Sequence, residues 1–152
     1  MTTPRARTLP TQTVVNRLVR ALLHVPLLDR LVGRRLMVIE VVGRRSGRRY
    51  DVPVAYTRDG ADLLVGTPFA WGRNLRTGEP VTILLAGRRR AADVVAITDE
   101  PGVTEAYATM ARDNRQFAGF NQIGFDDEGR PKSDDLHLAW AGGARAFRLT
   151  PR

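Results

Sequence analysis

The chain has 152 residues, which is enough for one domain with one core. Its hydrophobic content of 43% and charged content of 26% are typical of a globular protein and argue against disorder. The absence of cysteine excludes disulfides, thiolate nucleophiles and thiolate metal sites, and the two histidines lack ligand spacing, so no metal site is expected. The net charge of +8 favours acidic partners: nucleic acid, anionic lipid, or a phosphorylated or polycarboxylate small molecule.

The N-terminal part of the chain predicts a tail followed by a helix. Residues 1–12 are polar and contain two prolines, so they are expected to be a flexible tail, and residues 13–152 a single domain. From Thr13 onwards, apolar residues recur at helical spacing and are interrupted by Arg17 and Arg20. This basic amphipathic helix either covers an open face of the domain, which is the favoured interpretation, or docks on a membrane surface.

No stretch of the sequence is apolar and long enough for a spanning helix, and no secretory signal is recognisable. The expected location is therefore the cytoplasm. A peripheral contact with the inner face of the membrane, through the N-terminal helix, stays open as an alternative.

The middle of the chain alternates apolar runs and turn signals. Leu36–Val42 is apolar almost throughout, as expected of a buried strand. Residues 50–57 predict a second strand, which Pro53 confines to a sheet edge or a bulge because proline cannot donate to a ladder. Arg88–Arg90 are assigned to a solvated turn. The remaining predicted strands cover residues 61–66, 81–86, 91–97 and 144–149.

Helices are predicted towards the C-terminus. Thr98-Asp99-Glu100 opens one whose apolar face contains Val103, Ala106, Tyr107 and Met110. Residues 114–133 are rich in glycine and predict a long loop, and Ser133 caps a short helix over residues 134–141. The fold class that follows is α+β and mainly β: about six antiparallel strands curling into a small barrel with flanking helices.

The turn Gly43-Arg44-Arg45-Ser46-Gly47 carries the strongest chemical signal. It lies between two predicted strands and is followed by Arg48 and Arg49. Glycines let the backbone approach a ligand closely, and successive turn N–H groups can form an anion-binding concavity. Guanidinium groups match phosphate or carboxylate oxygens in pairs. The turn is therefore interpreted as a seat for an anionic cofactor or for the tail of a substrate.

The sequence resembles the deazaflavin-dependent nitroreductase family of oxidoreductases. The family pattern is a G-R-[KR]-[ST]-G turn, a short spacer, an apolar-proline-apolar strand, a charged hairpin, and a tryptophan three residues before Asn-Leu. The match covers about residues 36 to 107. The motifs that carry it are Gly43–Gly47, Val52-Pro53-Val54, Arg58-Asp59-Gly60, Trp71 with Asn74-Leu75, and Thr98-Asp99-Glu100.

This resemblance implies an FMN-binding-like split β-barrel that binds coenzyme F420, a deazaflavin whose tail carries phosphate and polyglutamate. It implies hydride transfer from the reduced coenzyme to a quinone, nitro compound or other hydrophobic acceptor, with chemistry that belongs to the cofactor rather than to a protein nucleophile. FMN is the second choice of cofactor. By the same resemblance, Arg44, Arg45, Ser46 and Gly47 hold the tail, Val52 and Pro53 line the ring through backbone contacts, and Trp71 and Asn74 bound the ring pocket.

Other functions stay open from the sequence. One is a non-catalytic binder of a flavin-like or fatty-acyl ligand on the same barrel. A nucleic-acid binder ranks last, and no nucleic-acid partner is expected, because the basic residues are not interleaved with exposed aromatics as in a stacking platform. A homodimer is left as an alternative to a monomer.

Overall fold

The computed structural model describes residues 36–152. The predicted tail over residues 1–12, the amphipathic helix from Thr13 and the membrane contact assigned to that helix lie outside the described residues. Within the described part of the chain, no helix is both long and apolar enough to cross a membrane.

The described residues form seven strands, one 3-10 helix and three α-helices. The strands are β1 (Leu36–Val42), β2 (Arg49–Ala55), β3 (Thr57–Asp59), β4 (Asp62–Thr67), β5 (Val81–Leu85), β6 (Arg88–Ile97) and β7 (Arg145–Pro151). The 3-10 helix spans Ala70–Asn74, and the α-helices are α1 (Glu100–Asp113), α2 (Arg115–Phe120) and α3 (Ser133–Ala141).

All seven strands belong to one antiparallel sheet in the order β2-β1-β5-β6-β7-β4-β3. The two edge strands, β2 and β3, are consecutive in the chain and are separated by Tyr56 alone. Since neighbouring Cα atoms are about 3.8 Å apart, the two edges of the sheet must meet at this residue. The sheet is therefore curled into a split β-barrel, which confirms the predicted α+β fold class.

The structure has one more strand than the sequence predicted, because the second predicted strand divides at Tyr56. Its first part, β2, pairs with β1, and its second part, β3, pairs with β4. The Tyr56 side chain is buried in the barrel core. Pro53 lies on the edge strand β2 opposite Val38, which confirms the predicted edge position.

The prediction that Arg88–Arg90 form a turn is wrong. The reversal between β5 and β6 takes only Ala86 and Gly87, which both have positive φ, 51° and 78°. Two such residues make the tight turn whose twist suits a β-hairpin. The strand register then pairs Leu85 with Arg88, so the three arginines belong to β6.

The core has two parts, one inside the barrel and one under the helices. Inside, Ile39, Leu63, Val65, Ile83 and Leu149 are fully buried. Outside the barrel, α1 packs its apolar face against β4 and β7. All four predicted residues of that face are buried: Val103, Ala106, Tyr107 and Met110. Asp99 caps α1 by accepting from Gly102 N at 3.1 Å, with Pro101 in the first turn as predicted.

The predicted loop over residues 114–133 contains the helix α2. Asn114 caps this helix, because its Oδ1 accepts from Gln116 N at 3.0 Å and from Phe117 N at 3.2 Å. The Phe117 ring lies 5.2 Å from the Tyr107 ring, which fixes the helix against α1. The glycine-rich composition predicted a loop, but one capping residue and one aromatic contact stabilise a helix in this segment.

Candidate functional site

The turn between β1 and β2 is compact and exposes its arginines. Gly43 N donates to Arg48 O at 2.8 Å, Gly47 N donates to Gly43 O at 2.9 Å, and Arg48 N donates to Ser46 Oγ at 3.2 Å. Gly47 has a φ of +67°, which a residue with a Cβ adopts only at a cost. These bonds use backbone groups and the Ser46 hydroxyl, and the arginine side chains of residues 44–49 are exposed.

A cleft of about 620 Å³ opens beside this turn. One wall is the end of β1 with the turn, and the other is the segment from the end of the 3-10 helix to the start of β5. Its lining residues include Val42, Gly43, Arg44, Gly47, Arg49, Asn74, Arg76, Pro80 and Thr82. The cleft thus brings the turn together with the segment around Asn74, which is about 30 residues further along the chain.

The cleft opens because β1 and β5 separate before either strand has ended. β1 pairs with β2 as far as Val42, but its pairing with β5 stops at Glu40 and Thr82. In the same register Val42 lies opposite Pro80. Gly43 N donates towards β2, so by alternation Val42 is the next residue of β1 whose backbone groups point towards β5. Proline has no N–H to donate, so the ladder ends at that position. The backbone of Val42 that would have bonded β5 faces the cleft instead.

The charge of the cleft is dominated by arginine. Arg44, Arg49 and Arg76 line it together with Glu40 and Glu79. The Glu40 carboxylate is already paired outside the cleft, with Arg89 Nη2 at 2.7 Å. Within the part of the chain that the structure describes, three arginines and one glutamate without an ion pair thus line the cleft, so the cleft attracts anions.

The side chain of Asn74 joins the two walls of the cleft. Its Oδ1 accepts from the backbone N of Arg44 at 3.2 Å. Its Nδ2 donates to the hydroxyl of Tyr50 at 3.1 Å and to the carbonyl of Trp71 at 3.2 Å. The turn, strand β2 and the 3-10 helix are thus held by one amide.

The residues that the sequence singled out lie in three places. Arg44, Gly47 and Asn74 line the cleft. Arg45 and Ser46 are exposed on the turn but do not line it. The rest belong to the barrel: Val52 and Trp71 are buried in its core, and Pro53 is half-buried on β2.

Sequence reasoning did not select Arg76, Pro80 or Thr82, and it mentioned Arg49 only as a neighbour of the turn. Pro80 carried a signal, because a proline directly before a strand limits how far that strand can pair. No feature of the local sequence pointed to Arg76, because its position beside the turn depends on how β1 and β5 pair.

No family model matches the chain, and no curated protein matches it. Solved structures do. A pyridoxamine 5′-phosphate oxidase-related, FMN-binding protein from Nostoc punctiforme superposes with a TM-score of 0.51 at 16% identity, over 88% of this chain and 78% of that one. HutZ, a heme storage protein from Vibrio cholerae, superposes with a TM-score of 0.52 at 14% identity, over 84% of this chain and 89% of that one.

At these identities the comparisons show the fold alone. The chain has the α+β split barrel also found in an FMN-binding protein and in a heme storage protein. The fold class that the sequence predicted, including its FMN-binding-like character, is thereby confirmed.

Proposed function

We propose that the protein binds a flavin-type cofactor, coenzyme F420 first and FMN second, and is an oxidoreductase. The cofactor, when bound, supplies hydride transfer to a quinone, nitro compound or other hydrophobic acceptor. The protein's part is to bind and orient the anionic cofactor. The side chains of Arg44, Arg49 and Arg76 neutralise its tail.

One observation carries this proposal: the glycine-flanked arginine turn forms a wall of the cleft, on a fold that an FMN-binding protein shares. An anionic tail in the cleft would meet guanidinium groups from both walls. Charge-assisted hydrogen bonds of this kind are about twice as strong as neutral ones. The residues inferred from the resemblance, Arg45, Ser46, Val52, Pro53 and Trp71, remain proposals for further contacts.

Heme is less well supported as the ligand, although one protein of the same fold stores it. The residues that usually bind heme iron are histidine, cysteine, methionine and tyrosine. None of the residues lining the cleft is of these types. His137 is exposed on α3, where its Nδ1 is 2.5 Å from Glu100 Oε1.

The test is a side-by-side titration of the protein with oxidised F420 and with FMN, followed by the fluorescence of the ring. F420 is expected to bind more tightly than FMN. Arg44→Gln should weaken binding about ten- to a hundredfold, which is the range for losing one hydrogen bond to a charged group. Raising the salt concentration should weaken wild-type binding and leave the variant less affected.

Arg88→Gln is the matched control, because it removes the same charge from an exposed arginine at the far end of β5 from the cleft. Its affinity should equal that of the wild type. If neither coenzyme changes ring fluorescence at any protein concentration, the proposal is wrong. If both arginine variants lose affinity equally, the binding depends on net charge and not on the cleft.

A non-catalytic binder on the same barrel is the second candidate, and turnover separates the two. An oxidoreductase consumes reduced F420 steadily when a quinone is added. A binder retains its ligand through purification and shows no turnover with any acceptor.

A further inference from the structure

We infer that Asn74 is a positioning residue: it fixes the anion-binding turn to the 3-10 helix and acts on the ligand through Arg44. The inference rests on the proposed function, because it assigns a role to a residue of the same site. It also departs from the role that the family resemblance gives Asn74, which is to bound the ring pocket directly.

Every donor of the Asn74 side chain is already used. An asparagine amide has two N–H donors and one carbonyl oxygen. Both donors are used, one by the Tyr50 hydroxyl and one by the Trp71 carbonyl, and the oxygen accepts from Arg44 N. The amide therefore has no donor left for a ligand.

The orientation of the amide follows from its neighbours. The backbone N of Arg44 can only donate and the carbonyl of Trp71 can only accept. Exchanging the oxygen and nitrogen of Asn74 would place two donors together and two acceptors together. One arrangement satisfies both contacts, so the oxygen of Asn74 faces the turn.

Asn74 is the link between the turn and the 3-10 helix. The other hydrogen bonds of Gly43–Arg48 within the described residues are made inside the turn itself. Among the described residues, removal of Asn74 would leave the turn without a hydrogen bond to any element other than β1 and β2, which it joins. Ordering one loop residue on binding costs about 1–2 kcal/mol, so a turn that is fixed in advance binds more tightly.

The test uses three variants. Asn74→Leu keeps the size of the side chain and removes all three bonds. Asn74→Asp keeps an acceptor for Arg44 N. Asn121→Leu is the matched control, because Asn121 is also half-buried and donates from Nδ2 to a backbone carbonyl, that of Phe117 at 2.9 Å, on α2.

Two quantities are measured for each variant. The first is the hydrogen-exchange rate of the Arg44 backbone amide in the protein without ligand. The second is the affinity for whichever of F420 and FMN the wild type binds. In Asn74→Leu the exchange is expected to be about tenfold faster and the affinity about tenfold weaker, as for the loss of one hydrogen bond. Asn74→Asp should retain slow exchange, and Asn121→Leu should change neither quantity.

Unchanged exchange of the Arg44 amide in Asn74→Leu would overturn the inference, as would unchanged affinity. Equal effects of Asn74→Leu and Asn121→Leu would also overturn it, because both would then reflect general destabilisation. If the wild type binds neither coenzyme, the proposed function fails, while the exchange rates still decide whether Asn74 holds the turn.

Discussion

The barrel core and the cleft are built in different ways. In the core, apolar side chains such as Ile39, Leu63 and Leu149 are fully buried and contact one another. In the cleft wall, residues 44–49 are all exposed, and the turn is held by hydrogen bonds, including the one from Asn74. Packing thus fixes the scaffold, and a small number of polar contacts fix the site.

This difference indicates how the two regions should respond to substitution. Removing buried apolar atoms lowers the free energy of unfolding of the whole domain, whereas replacing an exposed arginine changes it very little. Ligand binding, in contrast, should depend more on the arginines of the cleft than on any single residue of the core. Substitutions in the core and in the turn can therefore break or sharpen this separation.

Leu149→Ala should be the most destabilising of these substitutions. Leu149 is fully buried in the barrel, between β4 and β6, so its truncation leaves a cavity in the core. The free energy of unfolding should fall by about 2–5 kcal/mol, as measured by urea denaturation. A loss below 1 kcal/mol would mean that the barrel interior collapses around the missing atoms and is not tightly packed.

Tyr107 should make the helix-covered side of the barrel sensitive to alkali. Burial raises the pKa of Tyr107 above its ordinary value, so the folded protein keeps the phenol protonated. The contribution of Tyr107 to the free energy of unfolding is fully present below about pH 10, where the tyrosine is protonated in both the folded and the unfolded chain. This contribution is lost as the pH rises towards the raised pKa, because only the unfolded chain then releases the proton. The loss should reach about 1.4 kcal/mol per pH unit.

Tyr107→Phe removes this titration. Among the described residues its hydroxyl makes one long hydrogen bond, to Arg145 O at 3.4 Å, so the variant should be nearly as stable as the wild type at pH 7. At pH 11 it should be the more stable of the two, as judged by urea denaturation at both pH values. Parallel loss of stability in both proteins would show that another group causes the alkaline sensitivity.

Ala86→Asn should stabilise the hairpin between β5 and β6. Ala86 has a φ of 51°, in the left-handed region that asparagine tolerates better than alanine. The expected gain in the free energy of unfolding is a fraction of the roughly 1–2 kcal/mol that this conformation costs a residue with a Cβ. Ala61→Asn is the control, because Ala61 is exposed in another hairpin turn and does not have a positive φ.

Arg45→Gln should have the smallest effect on stability, less than about 0.5 kcal/mol, because Arg45 is exposed at the tip of the turn. Its thermal unfolding should match that of the wild type. The coenzyme titration of the same variant measures how far the binding site extends beyond the cleft. A destabilised Arg45→Gln would contradict the view that the turn and the scaffold are energetically separate.

Local pattern predicted most of the architecture. The apolar run of β1 and the Asp99 cap of α1 are readable because strand alternation, helical spacing and capping depend on neighbours in the sequence. The errors arose where single residues overrode composition, some of them local and some of them distant. Asn114 and the contact between Phe117 and Tyr107 make a helix in a segment that composition assigns to a loop.

The sequence by itself determined the fold class and the arginine turn, because both are encoded in contiguous residues. Only the tertiary structure decided what surrounds that turn. The pairing of β1 with β5 ends at Thr82, because Pro80 has no N–H to extend it, and this opens the cleft. The same pairing brings Arg76 and Asn74 beside Arg44, and no local pattern encodes contacts between residues about 30 positions apart.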